Sequence, residues 1–283
     1  MDDVGDVPAP APAPATPVPA AASAAAPPQA VVEALRAAGC VFAEEEAVLL
    51  VAAARGPEDL LDRVRKRAEG LPLEQVVGWA AFGGLRIAVE PGVFVPRRRS
   101  ELLAAEAVAR ARAVPGRVPL VVDLCCGAGA LGAVVAAACE VELYAADVDA
   151  AAVACARRNL GEGVQVLQGD LFDALPVSLR GRVDVLVANV PYVPTEEIPL
   201  LPVEARVHEP RVALDGGADG LEVLARVARA APAWLVPGGA LLVETSDRQA
   251  AAALEVLRAA GLTPRLSEDE DLGATVVVGV RST

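Results

Sequence analysis

The chain has 283 residues, of which 54% are hydrophobic, 22% charged and 3% aromatic, with a formal net charge of -13. This composition supports a sizeable core of small aliphatic side chains and excludes a chain disordered throughout. The acidic balance argues against a general grip on nucleic acid, which needs basic surface to neutralise phosphates, and leaves Arg97, Arg98 and Arg99 as a local basic run.

Residues 1–28 are rich in Ala and Pro and open with Asp2, Asp3 and Asp6. A secretory signal would start with positive charge and run into leucines, so this segment reads as a disordered tail leaning to polyproline II. Residues 29–75 carry helical patterns. One ends at Gly39, the next at Gly56, and a third starts at Pro57 and stops at Gly70. They predict a small helical domain, for substrate docking or as a packing cap. Residues 76–99 break the helical period, and Gly83-Gly84 between short alternating runs predicts a β-hairpin linker. A further helix is expected from Ser100, read as its N-cap, within a catalytic domain spanning 100–283.

From residue 118 strand and helix patterns alternate. Strands are expected at 118–124, 141–148, 164–170, 182–190 and 238–245, and helices at 130–138, 149–160, 221–231 and 248–261. That alternation predicts a doubly wound α/β fold with a mostly parallel sheet. The last two strands, 262–266 and 275–280, have no helix between them and should pair as an antiparallel hairpin. No stretch approaches the roughly 20 apolar residues that span a bilayer.

The first strand of this series ends at Asp123 and runs into Leu-Cys-Cys-Gly-Ala-Gly before a helix. Cys125, Cys126, Gly127, Ala128 and Gly129 form the strand-to-helix turn, where glycine permits unusual dihedrals and lets a ligand approach the backbone. Asp147 closes the second strand, 20 residues beyond Gly127, at a place where an acid accepts hydrogen bonds from ribose hydroxyls. Asp170 and Leu171 follow the third strand, within reach of an adenine amine. Gly132 stands where the third glycine of a dinucleotide fingerprint would fall, so the turn alone leaves a dinucleotide open. The five cysteines include no C-x-x-C pair and His208 is the only histidine, which leaves neither a zinc constellation nor a disulfide framework and fits a reduced cytoplasm. Cys125 and Cys126 read as small residues beneath a ligand.

The fourth strand runs into Asn189-Val190-Pro191-Tyr192. This resembles the Asn/Asp-Pro-Pro-Tyr of methyltransferases that act on amide or exocyclic amino nitrogens, with Val190 in place of the first proline. A planar amide nitrogen is a poor nucleophile, and two acceptors on its two N–H groups can hold it in line with an electrophilic methyl. The Asn189 side-chain oxygen and the carbonyl of residue 190 would be those acceptors. Pro191 would stiffen the turn, and Tyr192 would stack on the amide.

The match extends further. The segment from Pro72 to Leu103, with Val95-Pro96-Arg97-Arg98-Arg99-Ser100-Glu101 in place of I-P-R-P-E-T-E, resembles the linker of the HemK/PrmC family of protein-(glutamine-N5) methyltransferases. Asp123–Gly129 is similar to that family's D-L-G-T-G-S-G, with Cys125 replacing a glycine. The run from Glu209 to Leu221 is similar to E-P-x-x-A-L-x-G-G-x-D-G-L, and Glu244–Gln249 to E-I-G-x-x-Q. The resemblance covers about residues 30–280 and places the chain in a divergent branch with an NVPY motif. It implies a class I S-adenosylmethionine-dependent methyltransferase with a seven-stranded sheet. The implied substrate is the glutamine of the Gly-Gly-Gln loop of a peptide chain release factor, with no nucleic acid or membrane partner. Methylation of a ribosomal protein or nucleic acid, and a non-catalytic cofactor-binding role, are the alternatives.

Overall fold

The structure is a computed structural model that describes residues 15–18 and 27–282. The expected tail at 1–28 lies outside the described residues except for 15–18 and 27–28, and there the structure corrects it. Thr16–Pro17 (β1) pairs antiparallel with Leu85–Ala88 (β3), which also pairs antiparallel with Trp79–Phe82 (β2). The Ala15 N–H donates to the Asn159 carbonyl and the Val18 N–H to the Gly84 carbonyl, both at 3.0 Å. Pro17 lacks an N–H and is tolerated because β1 is an edge strand.

Helices α1 (Gln29–Ala37), α2 (Ala43–Ala53), α3 (Pro57–Ala68) and the short α4 (Leu73–Val77) bury Leu35, Ala47, Leu50 and Val76 against one another. Pro57 starts α3 because its missing N–H has no partner to lose in a first turn. Arg67 ties this bundle together and to the rest of the chain. Its guanidinium donates to Glu46 at 2.6 and 3.1 Å and to Glu204 at 2.5 Å. After the hairpin, a single 3-10 turn at Arg98–Ser100 leads into α5 (Glu101–Arg112). Ser100 does not cap α5 with its side chain, a correction to the sequence reading. The preceding turn leaves it in helical dihedrals, and its hydroxyl serves the fourth long strand instead.

The main sheet has seven strands in the order β6-β5-β4-β7-β8-β10-β9. They are β4 (Leu120–Leu124), β5 (Glu142–Asp147), β6 (Gln165–Gln168), β7 (Val183–Ala188), β8 (Leu235–Thr245), β9 (Leu262–Asp269) and β10 (Ala274–Arg281). β4 to β8 are parallel, and β10 runs antiparallel between β8 and β9. β4 and β7 are buried along their whole length, as a parallel sheet covered on both faces requires. The alternation is visible within them. Leu120, Val122 and Leu124 join Leu186, Leu224 and Trp234 on one face. Val121, Val185 and Val187 join Leu103 and Ala107 of α5 on the other.

Helix α6 (Ala130–Ala138) follows β4 and α7 (Ala150–Leu160) follows β5. Asp149 caps α7, its carboxylate accepting from the Ala151 N–H at 2.8 Å. Between β7 and α9 (Glu222–Ala230) lies a long excursion with the short helix α8 (Val203–His208), which the strand–helix alternation did not announce. Helix α10 (Ala250–Ala259) precedes β9. No helix of the described residues is long and apolar enough to cross a membrane.

Candidate active site

The chain visits β4, β5 and β6 in one direction and returns to β7 on the other side of β4. The crevice between two oppositely wound halves opens at the carboxyl ends of the central strands. The last paired residues there are Leu124 and Ala188, so the turn at Cys125 and the side chain of Asn189 leave the sheet side by side. A cavity of about 320 Å³ lies over them.

The turn after β4 is built for close approach. Gly127 has φ +54° and open space where a Cβ would stand, and Gly129 has φ +77° at the start of α6. Cys125 adopts φ +53°, in the region that favours glycine, at a cost of roughly 1–2 kcal/mol for a residue with a Cβ. Both Cys125 and Cys126 have their thiols pushed up by burial, with the nearby carboxylates adding to it. They are therefore inert small side chains rather than thiolates.

Asp147 at the end of β5 accepts from the Gly127 N–H at 2.9 Å on one oxygen and from the Asp149 N–H at 2.9 Å on the other. Burial raises its pKa, against the lowering effect of those backbone donors. Asp123 is fully buried. One of its oxygens accepts from the Gly132 N–H at 3.0 Å, and the other has no partner. Burial pushes its carboxyl up to about 7. Cys125, Cys126, Gly127, Ala128 and Asp147 line the cavity, whereas Asp123, Gly129, Asp170 and Leu171 are not among its lining residues. Asp170 pairs with Arg226 at 2.5 Å, and Leu171 has φ +50°.

Asn189, Val190, Pro191 and Tyr192 line the same cavity. Asn189 Nδ2 donates to Ser100 Oγ at 3.3 Å. Among the described residues nothing donates to Asn189 Oδ1 or to the Val190 carbonyl, so two acceptors are free. The Val190 side chain is 2% exposed and packs into the core with Leu124 and Leu186, where it anchors the strand end by apolar contact.

The wall is held from behind by residues whose roles the sequence did not disclose. Gln249 Nε2 donates to the Tyr192 carbonyl at 2.9 Å and to the Asp219 carbonyl at 3.0 Å. Val193 bridges Asp215, and Gly216 and Gly220 pack directly against the backbone of Pro191 and Tyr192. The Tyr192 hydroxyl donates to Glu244 Oε1 at 2.9 Å and accepts from Arg99 Nε at 3.0 Å. Burial, then the Glu244 charge, raise the Tyr192 pKa, so the phenol stays protonated. Arg97 pairs with the buried Glu209 at 2.6 Å, and Glu209 also accepts from the Val95 N–H. The motifs from Glu209 to Leu221 and from Glu244 to Gln249 were visible in the sequence, and their shared packing on the tetrapeptide is the signal that pattern alone could not supply. His208 is not among the lining residues.

The family described as Methyltransferase small domain matches residues 85–219. A release factor glutamine methyltransferase of Bordetella pertussis is 41% identical over 202 residues, covering 70% of this chain and 73% of that protein. The 4-amino-L-phenylalanine/4-methylamino-L-phenylalanine methyltransferase of Streptomyces pristinaespiralis is 39% identical over 203 residues, 70% of this chain and 69% of that one. A solved ribosomal protein L11 methylase from Lactobacillus delbrueckii subsp. bulgaricus matches with a TM-score of 0.50 and 14% identity, over 70% of this chain and 86% of that chain, a likeness of fold alone.

Proposed function

The chain belongs to the HemK/PrmC family of release factor glutamine methyltransferases, and on that premise we propose that it transfers a methyl group from S-adenosylmethionine to the side-chain amide nitrogen of a glutamine, in the Gly-Gly-Gln loop of a peptide chain release factor. The observation that carries the reading is the pair of free acceptors, Asn189 Oδ1 and the Val190 carbonyl, on residues that line one cavity with the glycine turn.

The residues present fit the cofactor. Gly127 offers open backbone, and Asp147, fixed by two backbone donors, lines the same cavity. Asp147 would hold the ribose, and the Cys125–Gly129 turn would carry the amino-acid end. When bound, the cofactor supplies an electrophilic methyl on a cationic sulfur. The chain's own part is to hold the amide. Asn189 is turned by Ser100 so that its oxygen faces outward, and it takes one N–H while the Val190 carbonyl takes the other. With both N–H groups fixed, the nitrogen's face is aimed at the methyl, and the entropy of alignment is lost at binding rather than in the transition state. Tyr192, locked by Glu244 and Arg99, closes over the planar amide and excludes water. Proton release can follow methyl transfer, so no base is required in the wall.

The test uses labelled S-adenosylmethionine with purified release factor in Gly-Gly-Gln and Gly-Gly-Ala forms. Label on the first alone is expected; label on neither would overturn the substrate assignment. A second reading, methylation of an amine on a small aromatic amino acid, is favoured by the identity to the Streptomyces pristinaespiralis relative. Transfer to 4-amino-L-phenylalanine and not to the release factor would select it.

A further inference from the structure

We propose that Arg99 is a specificity residue that recognises a carboxylate on the substrate, close to the methyl-accepting nitrogen. The inference rests on the methyl-transfer reading above and adds the charge of the group beside the acceptor.

Arg99 lines the cavity, and its side chain is 43% exposed. Its Nε is committed inward, donating to Tyr192 Oη at 3.0 Å and to Glu244 Oε1 at 3.1 Å, and its Cζ lies 5.9 Å from the Tyr192 ring centroid. Glu244 is 1% exposed. Anchored by Nε, the planar guanidinium keeps one orientation. Its Nη1 and Nη2 have no partner among the described residues. That edge is the fork that matches the two oxygens of a carboxylate.

The cavity's own acids do not compete for it. Glu209 is paired with Arg97, Glu204 with Arg67, and both oxygens of Asp147 accept from backbone N–H groups. Asp149 serves as a helix cap.

A carboxylate there has two sources, an acidic side chain next to the target glutamine or the α-carboxylate of a free amino acid. The first arm uses Gly-Gly-Gln peptides in which a glutamate is moved through the positions flanking the glutamine, each against its methionine counterpart. The second arm uses L-glutamine against L-glutaminamide. Binding is read by calorimetry with S-adenosylhomocysteine present at low salt, and methyl transfer is read separately. Wild type should bind the carboxylate member of one pair at least about fivefold more tightly, an end-on pair at a half-exposed site. Arg99→Gln should lose that ratio, and Arg99→Glu should invert it toward a lysine-bearing peptide. Each ratio is internal to one variant, so general damage cancels.

A preference in the peptide arm identifies an acidic neighbour in a protein, and one in the glutamine arm identifies an α-carboxylate. No preference in either arm, or a preference that survives Arg99→Gln, overturns the proposal. Transfer without preference removes the role of Arg99 and keeps the reaction. Preference without transfer keeps that role and removes the reaction.

Discussion

Gly216 offers a direct test of how the tetrapeptide is held. A Cβ placed on it would meet the Pro191 carbonyl oxygen at 2.7 Å and the Gly220 backbone at 2.8 Å, where ordinary contact begins at 3.4 Å. Gly216 does not have positive φ, so alanine there carries no backbone strain and the effect is steric. The residue cannot retreat, because its N–H donates to the Val193 carbonyl at 2.9 Å and its carbonyl accepts from the Glu222 N–H at 3.0 Å. The Pro191 carbonyl must therefore yield by roughly 0.7 Å, taking the Val190 carbonyl and Tyr192 with it. A misplacement near 1 Å costs a reaction on the order of 100-fold, so Gly216→Ala should lower kcat by about 10- to 100-fold. Overpacking should cost about 1–3 kcal/mol of stability, each kcal/mol lowering Tm by roughly 2–4 °C. Cofactor affinity should hold, because a Cβ on Gly216 would press on Pro191 and Gly220 and not on Asp147 or Gly127. The assay is single-turnover methyl transfer beside calorimetric cofactor binding, with Gly163→Ala, which meets nothing within 4 Å, as control. A Gly216→Ala enzyme with kcat within about twofold of wild type would refute the claim that this glycine sets the position of the tetrapeptide.

Asn189→Ala should cut turnover at least ~100-fold while leaving cofactor binding intact, checked by rate and calorimetry on the same preparation. Asp123, with a carboxyl held near 7 in the folded chain against about 3.9 unfolded, makes stability fall as pH rises. Below about pH 4 both states keep the proton; between about 4 and 7 the unfolded chain alone releases it, at up to roughly 1.4 kcal/mol per unit. Urea unfolding across that range should show Asp123→Asn gaining on wild type up to about pH 7 and then holding level; a constant difference would contradict it. Arg67→Ala strands Glu46, whose side chain is 10% exposed, and should cost about 3–5 kcal/mol in chemical denaturation. Replacing both members with Met and Leu should recover most of that loss.

The central sheet was legible because its strands are continuous apolar runs between glycine turns. The runs at 118–124 and 182–190 contain the fully buried β4 and β7, and the unlinked last pair forms the antiparallel edge. Strand-end position likewise put Cys125–Gly129 and Asn189–Tyr192 within one reading, and all of these but Gly129 line one cavity. Three things were not legible, each for a physical reason. The excursion from 193 to 221 has no period, because its conformation is fixed by contact with the tetrapeptide rather than by its own pattern. The Arg99–Tyr192–Glu244 cluster joins residues up to 145 positions apart, which only folding brings together. Ser100 reads locally as a cap, and its hydroxyl is instead taken by Asn189, a partner 89 positions away.

The two-residue strand β1 has a practical consequence for how this chain is handled. It covers the side of β3 that would otherwise present the Leu85 and Arg86 backbone to solvent, and its own Pro17 contributes no donor to any further strand. A shortened gene product starting after Val18 would leave β3 as an uncovered template for another molecule's strand. Concentrated stocks of such a product should scatter more light and elute earlier from a sizing column than the 283-residue chain.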